Sequence, residues 1–182
     1  MRYLILFISL FSFAQQTKSV DFTSVLAKIE INPLDKSVSG KVTYNFVLNN
    51  PIDTVKIDAQ NIDFFNLKIN NIEVKYGNNK KQILLFEGYK SGKNILTFNY
   101  LAQPKQALYF IGKGEKLQIW TQGQGKYTSN WFPSFDDPNE NTETNKSKYL
   151  IIYCSSNIFN NCVTVFQFLI VAVKLSFFSM YF

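Results

Sequence analysis

Two cysteines, Cys154 and Cys162, thirteen carboxylates and no histidine define the chemistry open to this 182-residue chain. A hydrolytic zinc site normally takes His ligands, and the H-E-x-x-H arrangement needs two of them on one helix turn. The same absence excludes Ser-His-Asp and Cys-His nucleophilic mechanisms. Two thiols with no companion His do not make a metal centre, so no catalytic and no metal-ligating residue is assigned. In an oxidising compartment the thiols can pair, but bridging depends on geometry that spacing does not reveal. The net charge of +6 is carried by lysines spread singly along the chain, with Lys80-Lys81 as the tight cluster. That distribution reads as a solvated surface and not as the focused basic stripe that nucleic acid requires.

The densest set of distinctive residues lies in residues 120–138, Trp-Thr-Gln-Gly-Gln-Gly-Lys-Tyr-Thr-Ser-Asn-Trp-Phe-Pro-Ser-Phe-Asp-Asp-Pro. Gly123 and Gly125 flank Gln124, so the backbone there can approach another surface closely. Trp131, Phe132 and Phe135 put a large apolar surface on a short stretch. Asp136-Asp137-Pro138 closes it as a turn. Physical chemistry alone predicts a rigid loop anchored by aromatic side chains.

Strands must position that loop. A hydrophobic fraction of 46% with 18% charged residues is that of a globular chain, with room for one domain. From residue 20 to residue 100 the apolar period is two. Val25, Ala27, Ile29 and Ile31 alternate with Leu26, Lys28 and Glu30, and residues 32–36 (Asn-Pro-Leu-Asp-Lys) supply a turn. Val42, Tyr44, Phe46 and Leu48 share one face of the next strand, with Lys41, Thr43 and Asn45 opposite. Gly40 at its start is the expected place for a bulge. Val55, Ile57 and Ala59 form a third alternating set. Leu67 and Ile69, the turn Asn70-Asn71, then Ile72, Val74 and Tyr76 predict a hairpin. Gly77-Asn78-Asn79 is expected to turn the chain into residues 83–86, and Gly92 leads to Leu96, Phe98 and Tyr100. Short strands between regular turn signals predict an all-β, antiparallel sandwich or curled sheet over residues 20–140.

The two ends read differently. Residues 1–14 have the form of a signal peptide: Arg2, an apolar run, then Ser12-Phe13-Ala14, with the mature chain expected to start at Gln15. As a helix that run would be about 16 Å long against a hydrocarbon core of about 30 Å, too short to span. The chain is therefore expected to be exported, periplasmic or secreted. Residues 146–182 contain no Asp, Glu, Gly, Pro or Arg. They lack the turn formers and charged face of the preceding design. Two origins fit this apolar tail. One is out-of-frame translation of an A/T-rich gene, since Asp, Glu and Gly codons all begin with G. The other is a membrane anchor over residues 162–182, where Lys174 costs about 3 kcal/mol against roughly 0.3–0.6 gained per large apolar residue.

On these residues the chain resembles the aminopeptidase N family of gluzincin zinc peptidases. Residues 121–138 align without a gap with the T-Q-G-E … F-P-C-F-D-E-P signature, through Thr121, Gln122, Gly123, Gln124, Trp131, Phe132, Pro133, Asp136, Asp137 and Pro138. Residues 29–42 (Ile-Glu-Ile-Asn-Pro … Val-Ser-Gly-Lys-Val) are similar to the opening hairpin of the family's N-terminal domain. Residues 92–100 (Gly-Lys-Asn-Ile-Leu-Thr-Phe-Asn-Tyr) are similar to its later G-x-N-x-L-x-x-x-Y strand. The departures are Thr128-Ser129 for an Ala-Arg pair, Ser134 for Cys, and Asp137 for Glu. The resemblance implies a saddle-shaped N-terminal β-domain, incomplete at its C-terminal end, that leans over a zinc-bearing catalytic domain. It also implies that Gln124, at the second acceptor position of T-Q-G-E, contacts the substrate's free α-amine or first peptide group. G-x-M-E-N, H-E-x-x-H, the distal Glu ligand and the catalytic Tyr are absent from these residues. Zinc is thus expected only in the full-length family, peptide substrates only in a full-length enzyme, and this chain is expected to be inactive alone. A different class of function remains open: a secreted β-sandwich binding module for protein or glycan.

Overall fold

The computed structural model of the chain describes residues 16–112, 118–121 and 127–135, and the backbone of residues 148–155 and 178–180. A short 3-10 turn, Gln16–Lys18, leads into β1 (Val20–Asn32) and β2 (Ser37–Leu48). There follow β3 (Val55–Asp58), β4 (Asp63–Ile69), β5 (Ile72–Glu73), β6 (Tyr76–Asn78) and β7 (Gln82–Leu85). The later strands are β8 (Gly92–Ala102), β9 (Leu108–Ile111), β10 (Gln118–Thr121), β11 (Lys148–Ser155) and β12 (Phe178–Met180). The described residues contain no α-helix.

The strands form a six-stranded sheet in the order β11-β1-β2-β8-β4-β5, and two three-stranded sheets, β3-β7-β6 and β12-β10-β9. Every pairing is antiparallel except β1 with β11, which is parallel. The all-β, antiparallel architecture expected from the period-two pattern is the one observed. β11 falls within residues 146–182, and its backbone extends the large sheet beyond β1. Among the described residues no helix is long and apolar enough to cross a membrane.

One buried cluster joins the layers. The inward faces of β1, β2 and β8 supply Ala27, Ile29, Val42, Phe46, Leu96 and Phe98, and the β3-β7 pair covers them with Val55, Ile57, Ile83 and Leu85. Val42, Tyr44, Phe46 and Leu48 are all buried on one face, as their alternation requires. Two bulges interrupt the alternation. Thr23 is the extra residue in β1, where Phe22 pairs with Phe46 but Ser24 pairs with Asn45. The second shift lies between Phe65 and Lys68 of β4, beside Asn66 at φ 52°. Each bulge keeps residues three apart, Phe22 with Val25 and Phe64 with Leu67, on the same inner face.

Three local expectations are corrected. Gly40 is not a bulge: it pairs in unbroken register with Ile29 and Tyr100. The absence of a side chain there has another cause. An added Cβ would lie 2.6 Å from Tyr100 Cε1 and 2.9 Å from the Lys28 carbonyl oxygen. The 70–71 hairpin forms, with Asn70 and Asn71 both at positive φ as a type I′ turn demands, yet Ile72 is 66% exposed. β5 is an edge strand of two residues, so its outward positions have nothing to pack against. Gly77 and Asn78 belong to β6, and the turn into β7 falls at residues 79–81 instead. There the Asn79 side chain accepts the amides of Lys81 and Gln82.

The residues 92–100 pattern has a structural reason. Asn94 is 2% exposed and its amide is fully used. It donates to the Lys90 and Gly92 carbonyls at 2.7 and 2.9 Å, and accepts from the Lys90 amide and the Asn70 side chain, both at 2.9 Å. This buried amide ties the start of β8 to the β4-β5 turn, and burying it is tolerable because each polar atom is partnered.

Candidate functional site

The aromatic segment enters on a single 3-10 turn, Thr128–Asn130. The Thr128 carbonyl accepts from the amides of Trp131 and Phe132, at 3.1 and 3.0 Å. Asn130 steadies the turn by donating its side-chain amide to the Tyr127 carbonyl at 3.0 Å. Ser129 is fully buried, and its carbonyl accepts from the Gln60 amide at 2.8 Å. The turn is therefore fastened to the chain between β3 and β4.

Beyond the turn, Trp131, Phe132 and Pro133 are buried. Phe132 meets Tyr100 edge-on with ring centroids 6.1 Å apart. Phe135 packs on Phe22 at 4.3 Å and on Tyr44 at 6.0 Å. Tyr44, read from sequence only as a core residue, has a second role: its hydroxyl donates to the Pro133 carbonyl at 2.5 Å. A buried phenol needs a partner, and that need was the available signal. Ser134 then pairs with Asp58 as an isolated bridge, with backbone hydrogen bonds of 2.9 and 3.0 Å in both directions. The segment is thus an integral part of the sandwich, closing the gap between β2 and β3.

Thr121 ends β10, paired with Leu108 of β9. Its neighbour Trp120 stacks on Tyr109, with centroids 4.6 Å apart and the planes at 28°. The Thr121 hydroxyl donates to the Ala107 carbonyl at 2.6 Å. Thr121, Trp131, Phe132 and Pro133 are therefore placed by the structure. Gln122, Gly123, Gln124, Asp136, Asp137 and Pro138 lie outside the described residues, as do Cys162 and the side chain of Cys154.

Among the described residues no group of three or more His, Cys, Asp or Glu side chains could hold a metal ion. With no histidine anywhere in the chain, these residues do not fit a hydrolytic zinc site. A cleft of about 290 Å³ lies between residues 48–52 and 89–91, and none of its lining residues belongs to the 121–135 segment. At its wall the Tyr89 hydroxyl donates to the Ile52 carbonyl at 3.1 Å. Burial, and then the Asp53 charge, hold that phenol above its ordinary titration range.

The peptidase M1 N-terminal domain family matches residues 22–149, well over half of the chain. The chain belongs to this family, as an N-terminal β-domain. A comparison with curated protein sequences gives no match. Among solved structures, yeast leukotriene A4 hydrolase in complex with bestatin superimposes with a TM-score of 0.64 at 17% identity, over 76% of this chain and 23% of that one. An M1 zinc metallopeptidase from Deinococcus radiodurans gives 0.62 at 11% identity, over 75% of this chain and 32% of that one. A mutant of that metallopeptidase bound to a Tyr-Ser-Ala substrate gives 0.62 at 11% identity, over 76% and 33%. These likenesses establish a shared fold. The chain spans about a quarter to a third of the length of each of these proteins.

Proposed function

We propose that this chain supplies the substrate-gating N-terminal β-domain of an exported zinc-dependent aminopeptidase that removes N-terminal residues from peptides. Family membership and the built-in aromatic segment support this reading. The observation that carries it is the way residues 131–135 are sewn into the core through Phe132–Tyr100, Tyr44–Pro133 and Asp58–Ser134. This fastening fixes the chain that follows Gln124 in the sequence. In the proposal the Gln124 side-chain carbonyl accepts from the free α-ammonium of a peptide. A neutral acceptor suits that task in a site screened from water. Zinc and the hydrolytic machinery belong to a catalytic domain that these residues do not encode, so the chain by itself binds no stoichiometric zinc and cleaves nothing.

Two measurements test this. Purified chain is assayed on alanyl and leucyl chromogenic amides with metal content read alongside; chelator-sensitive turnover would end the claim of inactivity. Residues 20–140 then replace the corresponding domain of a two-domain M1 zinc metallopeptidase. Gln124→Ala in that chimera should raise KM or lower kcat about tenfold for substrates with a free α-amine. Unchanged kinetics would reduce Gln124 to an ordinary loop residue. Export is tested by mass spectrometry of the mature N-terminus, expected at Gln15; a retained Met1 on a cytoplasmic protein would remove that part.

A further inference from the structure

Residues 16–19 lead into β1 and are tied to chain that is distant in sequence. The Gln16 side chain donates to the Lys56 carbonyl at 2.8 Å and accepts the Lys56 amide at 2.7 Å. The Gln16 carbonyl accepts from the Ser19 amide at 2.8 Å, which closes the 3-10 turn. The Lys18 carbonyl receives the Asn50 side-chain amide at 2.9 Å. The Ser19 carbonyl takes the backbone amides of Asn49 and Asn50, at 2.8 and 3.4 Å. Val20, the first residue of β1, is 2% exposed and pairs with Leu48.

These ties matter to any enzyme that removes residues from an N-terminus. Such an enzyme must draw out the terminal residue and those after it, then attack the carbonyl of the first peptide bond. Here the carbonyls of the bonds after Gln16, Lys18 and Ser19 already accept hydrogen bonds. Releasing Gln16 requires its two contacts with β3 and the turn to open together. Its loss would also leave the Lys56 amide and carbonyl unpaired on the outer edge of β3, a template for association.

We propose that Gln16 is a latch that sets the limit of N-terminal processing, so that exopeptidases shorten the chain no further than this residue. The latch stands on its own geometry, whichever function the chain serves. Cleavage of a latched segment requires local opening. When opening and closing are fast relative to cleavage, the rate follows the open population. Two hydrogen bonds at an exposed site change that population about fivefold.

The test is digestion of the full-length chain with a broad-specificity aminopeptidase, followed by intact mass against time. The first proline is Pro33, so no bond to proline interrupts the ladder before β1. Wild type should be shortened residue by residue and then persist with Gln15 or Gln16 first. Gln16→Ala and Lys56→Pro should each pass that point about fivefold faster. Lys56→Pro leaves residues 16–19 unaltered and deletes the amide that Gln16 accepts. Lys18→Ala keeps its backbone carbonyl and should behave as wild type. Wild type trimmed steadily through Val20 overturns the latch, as does a stop whose mass shows a terminal glutamine cyclised with loss of ammonia. A gain for Gln16→Ala without one for folded Lys56→Pro reflects the enzyme's residue preference, and overturns it too. If Lys56→Pro does not fold, amide exchange decides: the Lys56 amide should exchange about fivefold slower in wild type than in Gln16→Ala, and equal rates reject the latch.

Discussion

Strands β1, β2 and β8 run for 13, 12 and 11 residues, whereas β3, β6 and β7 have at most four. The long strands hold one another through continuous ladders, with β2 paired along nearly its whole length on both sides. The short sheet cannot do this, and its edge is closed by residues from elsewhere. On the outer edge of β3 the Gln16 side-chain amide both donates to the Lys56 carbonyl at 2.8 Å and accepts its amide at 2.7 Å. Two residues along, Ser134 does the same for Asp58 with its backbone. An unpaired edge is a template for association, and here a single side chain stands in for a strand. Long strands are thus secured by their own length, and short ones by borrowed hydrogen bonds.

The largest effect that tests this contrast belongs to the long-stranded half. Phe46→Asp buries an unpaired carboxylate at a position 1% exposed, and should cost about 4 kcal/mol or more. The exposed Lys41→Asp should stay within about 0.5 kcal/mol. Equal losses in chemical denaturation would reject the register given for β2. Next comes the closing segment. Phe132→Ala removes a ring buried against Tyr100 and should cost about 3 kcal/mol, with a lower denaturation midpoint at constant m. A change in m instead would mean that the segment unfolds separately from the sandwich.

Gly40→Ala should cost about 2 kcal/mol, because the new methyl meets both the Tyr100 ring and the Lys28 carbonyl oxygen. The ring can move but the backbone oxygen cannot, so Tyr100→Leu in the same chain should recover only part of the loss. Gln16→Ala should cost about 1 kcal/mol for two hydrogen bonds at an exposed site, and should leave faster amide exchange at Lys56 than at Asp58. Equal exchange at the two positions would remove Gln16 from its edge-capping role. The smallest effect is that of the Lys80–Asp63 pair, whose side chains are more than half exposed. Breaking it should change stability by about 0.5 kcal/mol or less, and 1 M salt should erase even that.

Much of the long-stranded half was legible because alternation is a local property. Val42, Tyr44, Phe46 and Leu48 announce a buried face by spacing alone. The same rule read backward from Val25 places Phe22 on the wrong side, and only the Thr23 bulge corrects it. Likewise, nothing local separates Ile72, which is exposed at an edge, from Ile69, which is fully buried. Of the candidate site, the aromatic anchors were legible as apolar bulk on a short segment. Their fastening was not, since Tyr44 and Pro133 are 89 positions apart.

The sequence by itself determined the strand period, the Asn70-Asn71 turn, the family signature and the exclusion of histidine chemistry. Each of these depends on residue type or on neighbours a few positions away, where backbone preference and side-chain alternation act directly. Only the tertiary structure decided that Gly40 makes room for Tyr100, that Gln16 and Ser134 close β3, and that Gln106 and Ala107 reach both Thr121 and Asn130. These contacts join residues 14 to 76 positions apart, and they form only once the sheets have packed and left particular donors facing particular acceptors.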